Sequence, residues 1–340
     1  MKTLYKLYLI IPVLFAGIVC QAQIGERTIT YTDAARNRTL ITELWYPTLQ
    51  QVAQQQSAGL AVVPATVREA SLTAGKRYPL VMLSHGTGGD RFSLMWLSAK
   101  LAAEGYIVAA VNHWGNTWDN KTPEGFLRMW ERPADIRYVL TQLLADKAFG
   151  PQIDDKRVAA IGFSLGGYTV LTLAGGRLDF AKLTNFITTL DGVKETTVPE
   201  FPGLRDYFFK QDYKMQYEAV ATTLADRRIR CVVAMAPALG QGFDPKSLNE
   251  VRIPTLIVGA SADSIAPVRT NAAYIKSQMP KAQYVALEPA VGHYVFLNTC
   301  TPLGVQELPP FLCQDTAPTN RDDIHQQVFD RVRTFLKQTL

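Results

Sequence analysis

The stretch Gly162-Phe163-Ser164-Leu165-Gly166-Gly167 connects two segments of different character. Residues 157–161 before it are mostly apolar and favour a strand, and residues 168–174 after it favour a helix. Glycines in a G-x-S-x-G pattern permit a tight strand-to-helix turn, which lifts the serine hydroxyl clear of the sheet. We therefore interpret Ser164 as a candidate nucleophile that forms an acyl-enzyme. The alternative is a glycine turn with an incidental serine.

The chain around this turn alternates between strand-like and helical patterns. Short apolar runs are typical of strands that are covered on both faces, and they occur at 80–83, 107–111, 158–161, 231–235, 255–258 and 284–287. Helical patterns lie between or after them, at 92–104, 133–148, 165–174, 267–279 and 324–340. An antiparallel hairpin is expected at one edge, from residues 27–31 and 40–46. We predict an α/β fold with a mainly parallel central sheet of about eight strands flanked by helices.

Residues 175–230, called the inserted segment below, are too many for a simple crossover after the helix that follows Ser164. The segment is rich in aromatic side chains, namely Phe180, Phe186, Phe201, Tyr207, Phe208, Phe209, Tyr213 and Tyr217. We predict that it is a cap lining an apolar acyl site. The alternative is a helical insertion whose aromatic side chains pack against one another.

The N-terminus has the pattern of an export signal. Residues 1–22 combine Lys2 and Lys6, an apolar core at 7–19, and the small-x-small site Cys20-Gln21-Ala22. This predicts a signal peptide at 1–22, a single catalytic domain at 23–340, and a periplasmic or extracellular location. The apolar run is short for a membrane span, so no stable span is expected. Lipid anchoring through Cys20 is an alternative.

Composition excludes some classes of partner. The 340 residues are 47% hydrophobic and 19% charged, which is typical of a globular chain with a substantial core. The net charge of +5 falls by two without the leader, and no basic, aromatic-interleaved stripe occurs, so nucleic-acid binding is not expected.

The cysteines and histidines do not suggest a metal site. Export favours a disulfide between Cys300 and Cys313, with Cys231 as a buried free thiol in an apolar strand; three unpaired cysteines are the alternative. No His or Cys cluster has metal-ligand spacing, so we expect neither a metal nor another cofactor.

A serine nucleophile needs a base, and the chain has four histidines. His293 is the candidate, because it follows the last predicted strand, at the edge where Ser164 should lie. His325, at the start of the last helix, is expected to be solvated. His85 is expected to shape a turn, and His113 to border the pocket or to satisfy a buried hydrogen bond. His85, His113 and the adjacent Trp114 are possible pocket-lining residues.

The acid that orients the base should lie between Ser164 and His293 in the chain. Asp263 follows an apolar strand and fits this order. The competing candidates are Asp244 and Asp191. Asp263 could instead cap the next helix, because Pro267 suits a first helical turn.

Ester hydrolysis also needs hydrogen-bond donors for the tetrahedral oxyanion. Residues 84–89, Ser-His-Gly-Thr-Gly-Gly, are similar to the H-G-G-G type of loop that supplies one such donor. We predict that the oxyanion hole consists of the backbone N–H groups of Thr87 and Leu165. The alternative is that these glycines serve only a tight turn.

From about Ile24 to the C-terminus, the chain resembles serine α/β-hydrolases of the dienelactone-hydrolase-like and platelet-activating-factor-acetylhydrolase-like group. The motifs that carry the resemblance are Trp45-Tyr-Pro47, His85-Gly-Thr-Gly-Gly89, Val111-Asn-His113, Arg132-Pro-Ala-Asp135, Gly162-Phe-Ser-Leu-Gly-Gly167 and Gly292-His293. Locally, Ile253–Ala260 with Asp263–Val268 resembles the acid-bearing segment of bacterial cutinases, which are polyester hydrolases. The resemblance implies an α/β-hydrolase fold and supports Asp263 as the acid.

The chain departs from each of these groups. Dienelactone hydrolases have a cysteine at the position of Ser164, and the acetylhydrolases place their acid after the strand that here ends at Met235. Cutinases have an aromatic residue at the position of Thr87. The resemblance therefore does not imply activity on dienelactone, and these differences weaken the case for polyester substrates.

The expected function is that of an exported, cofactor-independent serine hydrolase acting on small carboxylic or lipid-like esters. An acyltransferase or amidase with the same triad is an alternative, and so is a hydrolase-like binding protein without catalysis. The sequence leaves the oligomeric state open.

Overall fold

The computed structural model describes residues 23–51, 59–210 and 212–340. The predicted signal peptide, including Cys20, lies outside the described residues.

In the part of the chain that the structure describes, nine strands form one sheet: β1 (Gln23–Asp33), β2 (Arg38–Thr48), β3 (Val67–Arg68), β4 (Tyr78–Ser84), β5 (Ile107–Val111), β6 (Ile153–Phe163), β7 (Cys231–Met235), β8 (Thr255–Ala260) and β9 (Gln283–Leu287). The strand order is β3-β1-β2-β5-β4-β6-β7-β8-β9. β2 pairs antiparallel with β1 and β5, and the other pairs are parallel. The predicted mainly parallel α/β sheet is therefore confirmed. The additional strand β3 has only two residues, too few to show a period in the sequence.

The described helices are α1 (Met95–Ala103), α2 (Pro123–Leu127), α3 (Glu131–Ala145), α4 (Leu165–Leu173), α5 (Phe180–Ile187), α6 (Leu190–Thr196), α7 (Leu204–Phe208), α8 (Tyr213–Glu218), α9 (Pro245–Glu250), α10 (Ala272–Gln278), α11 (Pro302–Glu307), α12 (Pro310–Cys313) and α13 (Arg321–Thr339). α10 begins five residues later than predicted, because the N–H groups of Thr270 and Asn271 bond back to the Pro267 carbonyl in a preceding turn. α13 begins earlier than predicted, because Asn320 caps its first N–H groups.

The sheet is covered on both faces. In β4, Leu80 and Met82 belong to a core shared with α3 and α4, whereas Val81 and Leu83 face a core shared with α1 and α13. All four side chains are buried. Burial on both faces explains why the central strands are continuous apolar runs rather than alternating ones.

Four short helices, α5 to α8, lie within the inserted segment. Its aromatic side chains pack against one another and against Trp130 on the main domain. The Phe180 ring lies 5.0 Å from Tyr217 and 6.2 Å from Trp130, and Tyr213 lies 6.1 Å from Trp130. The segment is thereby attached at the start of α3.

The cysteines are paired as predicted. A disulfide joins Cys300 to Cys313, and Cys231 is a buried free thiol. Among the described helices, none is both long and apolar enough to cross a membrane.

Candidate active site

Ser164 lies at a sharp turn between β6 and α4. Its backbone has φ 55° and ψ −117°, a conformation that a non-glycine residue seldom adopts. Its N–H donates to the Met235 carbonyl at 2.9 Å, and its carbonyl accepts from the Ala238 N–H at 3.1 Å. Hydrogen bonds to the β7 end of the sheet therefore hold the strained turn, as in a nucleophile elbow.

A continuous hydrogen-bonded chain links Ser164, His293 and Asp263. The His293 Nε2 lies 3.0 Å from the Ser164 Oγ, and the His293 Nδ1 lies 2.6 Å from the Asp263 Oδ2. The other oxygen of Asp263, Oδ1, accepts from the N–H groups of Ile265 (2.9 Å) and Ala266 (2.7 Å). These two bonds fix the carboxylate, so Oδ2 is held toward the imidazole. The structure thus brings together all three residues that the sequence suggested for a triad.

The competing acids lie elsewhere. Asp244 is the N-cap of α9 and accepts from the N–H groups of Lys246 and Ser247. Asp191 forms a surface ion pair with Arg269. Neither carboxylate contacts His293.

The 84–89 loop lies directly against Ser164. A methyl group built on Gly86 would lie 3.2 Å from the Ser164 Cβ, so the loop backbone passes beside the hydroxyl. The Gly88 N–H donates to the Asn116 side chain at 2.9 Å, and the Gly89 N–H to the Gly86 carbonyl. Within the described residues, neither the Thr87 N–H nor the Leu165 N–H donates to another backbone carbonyl. Their role as oxyanion donors stays a prediction.

A second Ser–His–Asp arrangement lies beneath this loop. The His113 Nε2 is 2.9 Å from the Ser84 Oγ, and the His113 Nδ1 is 3.0 Å from the Asp135 Oδ2. Asp135 also pairs with Arg36 (2.9 Å) and Arg38 (2.7 Å). Because an ion-paired carboxylate only accepts, His113 Nδ1–H donates to it, and Nε2 accepts from Ser84. All three side chains of this second arrangement are fully buried.

His85 and His113 belong to this buried network. The His85 Nε2 accepts from the His113 N–H, and the His85 Nδ1 lies 2.7 Å from the Gly86 carbonyl. The pKa of both imidazoles is lowered well below the usual value. Burial is the main cause, and the charge of the Arg132 guanidinium is the second. The structure thus places His113 in the buried hydrogen bond that was one of its two expected roles. Trp114 is half-buried beside Arg38, whose guanidinium lies 5.7 Å from the ring.

His325 is not solvated, and that prediction is wrong. Its side chain stacks on Trp96 at 3.9 Å, and its Nε2 lies 2.8 Å from the Val295 carbonyl and 3.0 Å from the Leu297 carbonyl. Burial lowers the pKa of His325 to about 4. The histidine therefore supports the chain directly after His293.

Three residues that support the site carried no separate signal in the sequence. Asn116 holds the Gly88 N–H, and Arg132 donates to the His85 carbonyl, so both restrain the 84–89 loop. Glu200, from the inserted segment, accepts from the Tyr294 hydroxyl at 3.3 Å next to His293. Arg132 belongs to a motif that carried the family resemblance, but no local pattern assigned it a partner.

No metal site is found among residues 23–51, 59–210 and 212–340, where no group of three or more His, Cys, Asp or Glu side chains could hold an ion.

Comparison with known sequences finds relatives among hydrolases. Residues 80–301, more than half of the chain, match the family model described as alpha/beta hydrolase family, and residues 32–118 match the model of platelet-activating factor acetylhydrolase, isoform II. Cutinase 2 of Thermobifida cellulosilytica is 25% identical over 203 residues, 60% of this chain and 55% of that protein. Lipase 1 of Moraxella sp. (strain TA144) is 25% identical over 191 residues, 56% of this chain and 40% of that protein. The match to each of these relatives thus spans about half of its length or less.

Among solved structures, a ferulic acid esterase from Streptomyces cinnamoneus has a TM-score of 0.62 and 20% identity, with 96% of this chain and 92% of that chain covered. This likeness shows the fold. The similarity to cutinases is confirmed, and it extends well beyond the segment around Asp263 that suggested it. Together with the elbow and the strand order, the match over residues 80–301 shows that the chain belongs to the alpha/beta hydrolase family.

Proposed function

We propose that the protein is a serine-dependent carboxylic ester hydrolase that works through an acyl-enzyme. The observation that carries the proposal is the hydrogen-bonded chain from Asp263 through His293 to Ser164. The names of the relatives, cutinase and lipase, point to the same class of reaction.

The acylation half of the reaction follows from the geometry. Asp263 accepts from His293 Nδ1–H, which leaves Nε2 as the acceptor for the Ser164 proton. The Ser164 Oγ attacks the ester carbonyl carbon, and the negative charge moves to the carbonyl oxygen. The N–H groups of Thr87 and Leu165 stabilise that oxyanion. As the carbon–oxygen bond to the alcohol breaks, His293 transfers the proton to the leaving oxygen.

The deacylation half uses the same groups. Water gives a proton to the His293 Nε2 and attacks the acyl carbon, and the collapse of the second tetrahedral intermediate returns the proton to the Ser164 Oγ. The acid product leaves. No step requires a cofactor.

We also propose that the protein is exported and that the inserted segment is a cap over the site. The disulfide between Cys300 and Cys313 supports an oxidising compartment, which agrees with a signal peptide at 1–22. The inserted segment reaches the site through Glu200, which supports its role as a cap in the single domain 23–340.

The test is hydrolysis of p-nitrophenyl esters, from acetyl to dodecanoyl, by the protein and its Ser164→Ala variant. We expect the variant to lose at least about a thousandfold in kcat, because no other group replaces the nucleophile. Its fold should be unchanged by circular dichroism.

The second Ser–His–Asp arrangement provides a matched control. A fluorophosphonate should form its adduct on Ser164, located by mass spectrometry, in both the wild type and Ser84→Ala, since the Ser84 hydroxyl is fully buried. An adduct on Ser84, or full turnover by Ser164→Ala, would overturn the proposal. Retained labelling without hydrolysis of any ester would indicate an amide or transfer reaction instead.

A further inference from the structure

Glu200 connects the two sides of the candidate site. A methyl group built on Gly88 would lie 2.8 Å from both the Cβ and the Cγ of Glu200, so the methylene groups of Glu200 cover the 84–89 loop. At its other end, the Glu200 carboxylate accepts from the Tyr294 hydroxyl at 3.3 Å. The Tyr294 ring lies 5.2 Å from the ring of His293. The Glu200 side chain therefore extends from the 84–89 loop to Tyr294, which lies beside His293.

The position of Glu200 is held by its neighbours. The Lys121 ammonium donates to the Glu200 backbone carbonyl at 3.0 Å. The next residue, Phe201, packs edge-on against Phe126 at 5.1 Å, and Phe126 also contacts the 84–89 loop near Gly88. These contacts hold the backbone of Glu200 beside the 84–89 loop.

Two fully buried carboxylates, those of Glu43 and Asp135, are neutralised by arginines, and Glu200 differs from them. Glu43 pairs with Arg68 and Arg91, and Asp135 pairs with Arg36 and Arg38. Within the described residues, by contrast, no cationic nitrogen lies within 4.0 Å of the Glu200 carboxylate. Burial raises the pKa of the Glu200 carboxyl, against smaller lowering effects of His293 and Lys121. A carboxylate has about four acceptor positions; the Tyr294 hydroxyl occupies one and the backbone N–H of Glu200 itself another, so about two are spare.

A half-buried carboxylate with spare acceptor positions next to the reacting groups has a direct effect on ligands. It attracts a cation or a hydroxyl donor and repels an anion, and this effect is strong where water is partly excluded. We propose that Glu200 is a specificity-determining residue, which favours ester substrates carrying a cationic or hydroxyl group close to the scissile bond and disfavours those carrying a carboxylate there. The proposal rests on the ester hydrolase function proposed above.

The experiment uses three thioesters with one acyl group, chosen as the chain length that the p-nitrophenyl series favours. Their leaving thiols are thiocholine, its neutral carbon isostere 3,3-dimethylbutanethiol, and 3-mercaptopropionate. Thiol release gives kcat/KM for each at low ionic strength and alkaline pH, where the carboxylate is ionised. We expect the wild type to prefer the cationic thioester and Glu200→Gln to lower the cation-to-anion ratio about tenfold, through loss of one unit charge at close range.

The matched control is Glu218→Gln, on the same inserted segment. Among the described residues, Glu218 forms an ion pair only with Lys214, on the surface, so the same chemical change there should leave the ratio as in the wild type. Glu200→Ala provides a second variant and should change the ratio in the same direction as Glu200→Gln. Added salt should reduce the preference of the wild type.

The two proposals fail in different ways. An unchanged ratio in both Glu200 variants, with hydrolysis of the neutral thioester retained, would overturn the role of Glu200 alone. Absence of Ser164-dependent hydrolysis of the neutral thioester by the wild type would overturn the ester hydrolase function, and with it the role of Glu200.

Discussion

The turn at Ser164 depends on the absence of side chains at two glycines. A methyl group on Gly162 would collide with the Gly166 carbonyl, and one on Gly166 would collide with the Ser84 carbonyl. Backbone segments approach so closely here that no larger residue fits. The glycines thus have a steric role, and the strained dihedrals of Ser164 follow from it.

We predict that Asp263→Asn lowers kcat about a thousandfold or more without unfolding the protein. The amide oxygen of asparagine can still accept from the N–H groups of Ile265 and Ala266, so the side chain keeps its place. Its NH₂ group then faces the His293 Nδ1 and donates to it. This places the imidazole proton on Nε2, which can no longer accept from Ser164. Steady-state kinetics and thermal melting measure the two effects.

Asp244→Asn is the matched control for this substitution. Asp244 caps α9, and asparagine caps a helix about as well as aspartate, so both activity and melting should remain close to the wild type. Equal losses of activity in the two variants would contradict the assignment of Asp263 as the orienting acid.

At the level of elements, side chains of α1 and α13 hold the short 3₁₀ helix His293–Phe296 in place. Trp96 Nε1–H donates to the Phe296 carbonyl at 2.8 Å, and His325 contacts the carbonyls of Val295 and Leu297. The imidazole and the indole stack on each other. Two helices far apart in the chain therefore position the segment that carries the proposed base.

We predict that His325 makes the stability of the protein depend on pH. Its pKa is about 4 in the folded protein and close to 6.5 when exposed, so between these values only the unfolded chain binds the proton. Its contribution is complete above pH 6.5 and is lost as the pH falls toward 4, by about 3 kcal/mol in total. His325→Gln, which does not titrate, should show a flatter decline in urea midpoint over this range.

His85 and His113 also have lowered pKa values, so the wild type loses additional stability in acid. The difference between the wild type and His325→Gln isolates the contribution of His325. If the two curves ran parallel from pH 6.5 to 4, the buried neutral state of His325 would be contradicted.

Across the molecule, the disulfide stabilises the C-terminal region next to the site. It closes a loop with a sequence separation of 13, which includes α11 and most of α12. Phe311 within that loop packs against Tyr294 at 5.1 Å. We predict that replacing Cys300 and Cys313 by serine lowers the free energy of unfolding by about 3 kcal/mol, because the unfolded chain gains freedom. Urea denaturation measures the loss.

Reducing agent is the control for this prediction. It should destabilise the wild type by a similar amount and leave the double variant unchanged, because Cys231 is a free thiol. Equal stability of the wild type under oxidising and reducing conditions would contradict a stabilising role for the disulfide.

The elbow, the alternation of strands and helices in a mainly parallel sheet, and the candidates Ser164, Asp263 and His293 were all accessible from the sequence. Each depends on neighbouring residues: glycine spacing, apolar runs, and loops that follow strands. Local backbone preferences and burial patterns depend on a few neighbouring residues, so they can be recognised in the sequence. The boundaries of α10 and α13 were missed by three to five residues because turns and caps shift helix ends.

The pairing of distant residues depended on how the elements pack. Ser164 and His293 are 129 positions apart, and Glu200 reaches Tyr294 across 94. The sequence narrowed the choice of base and acid, but it could not show that His113 pairs with Asp135 beneath the 84–89 loop, or that His325 is buried. Contacts of this kind form when helices and strands pack around a shared core. The local conformational preference of one residue carries no information about which distant residue it will contact.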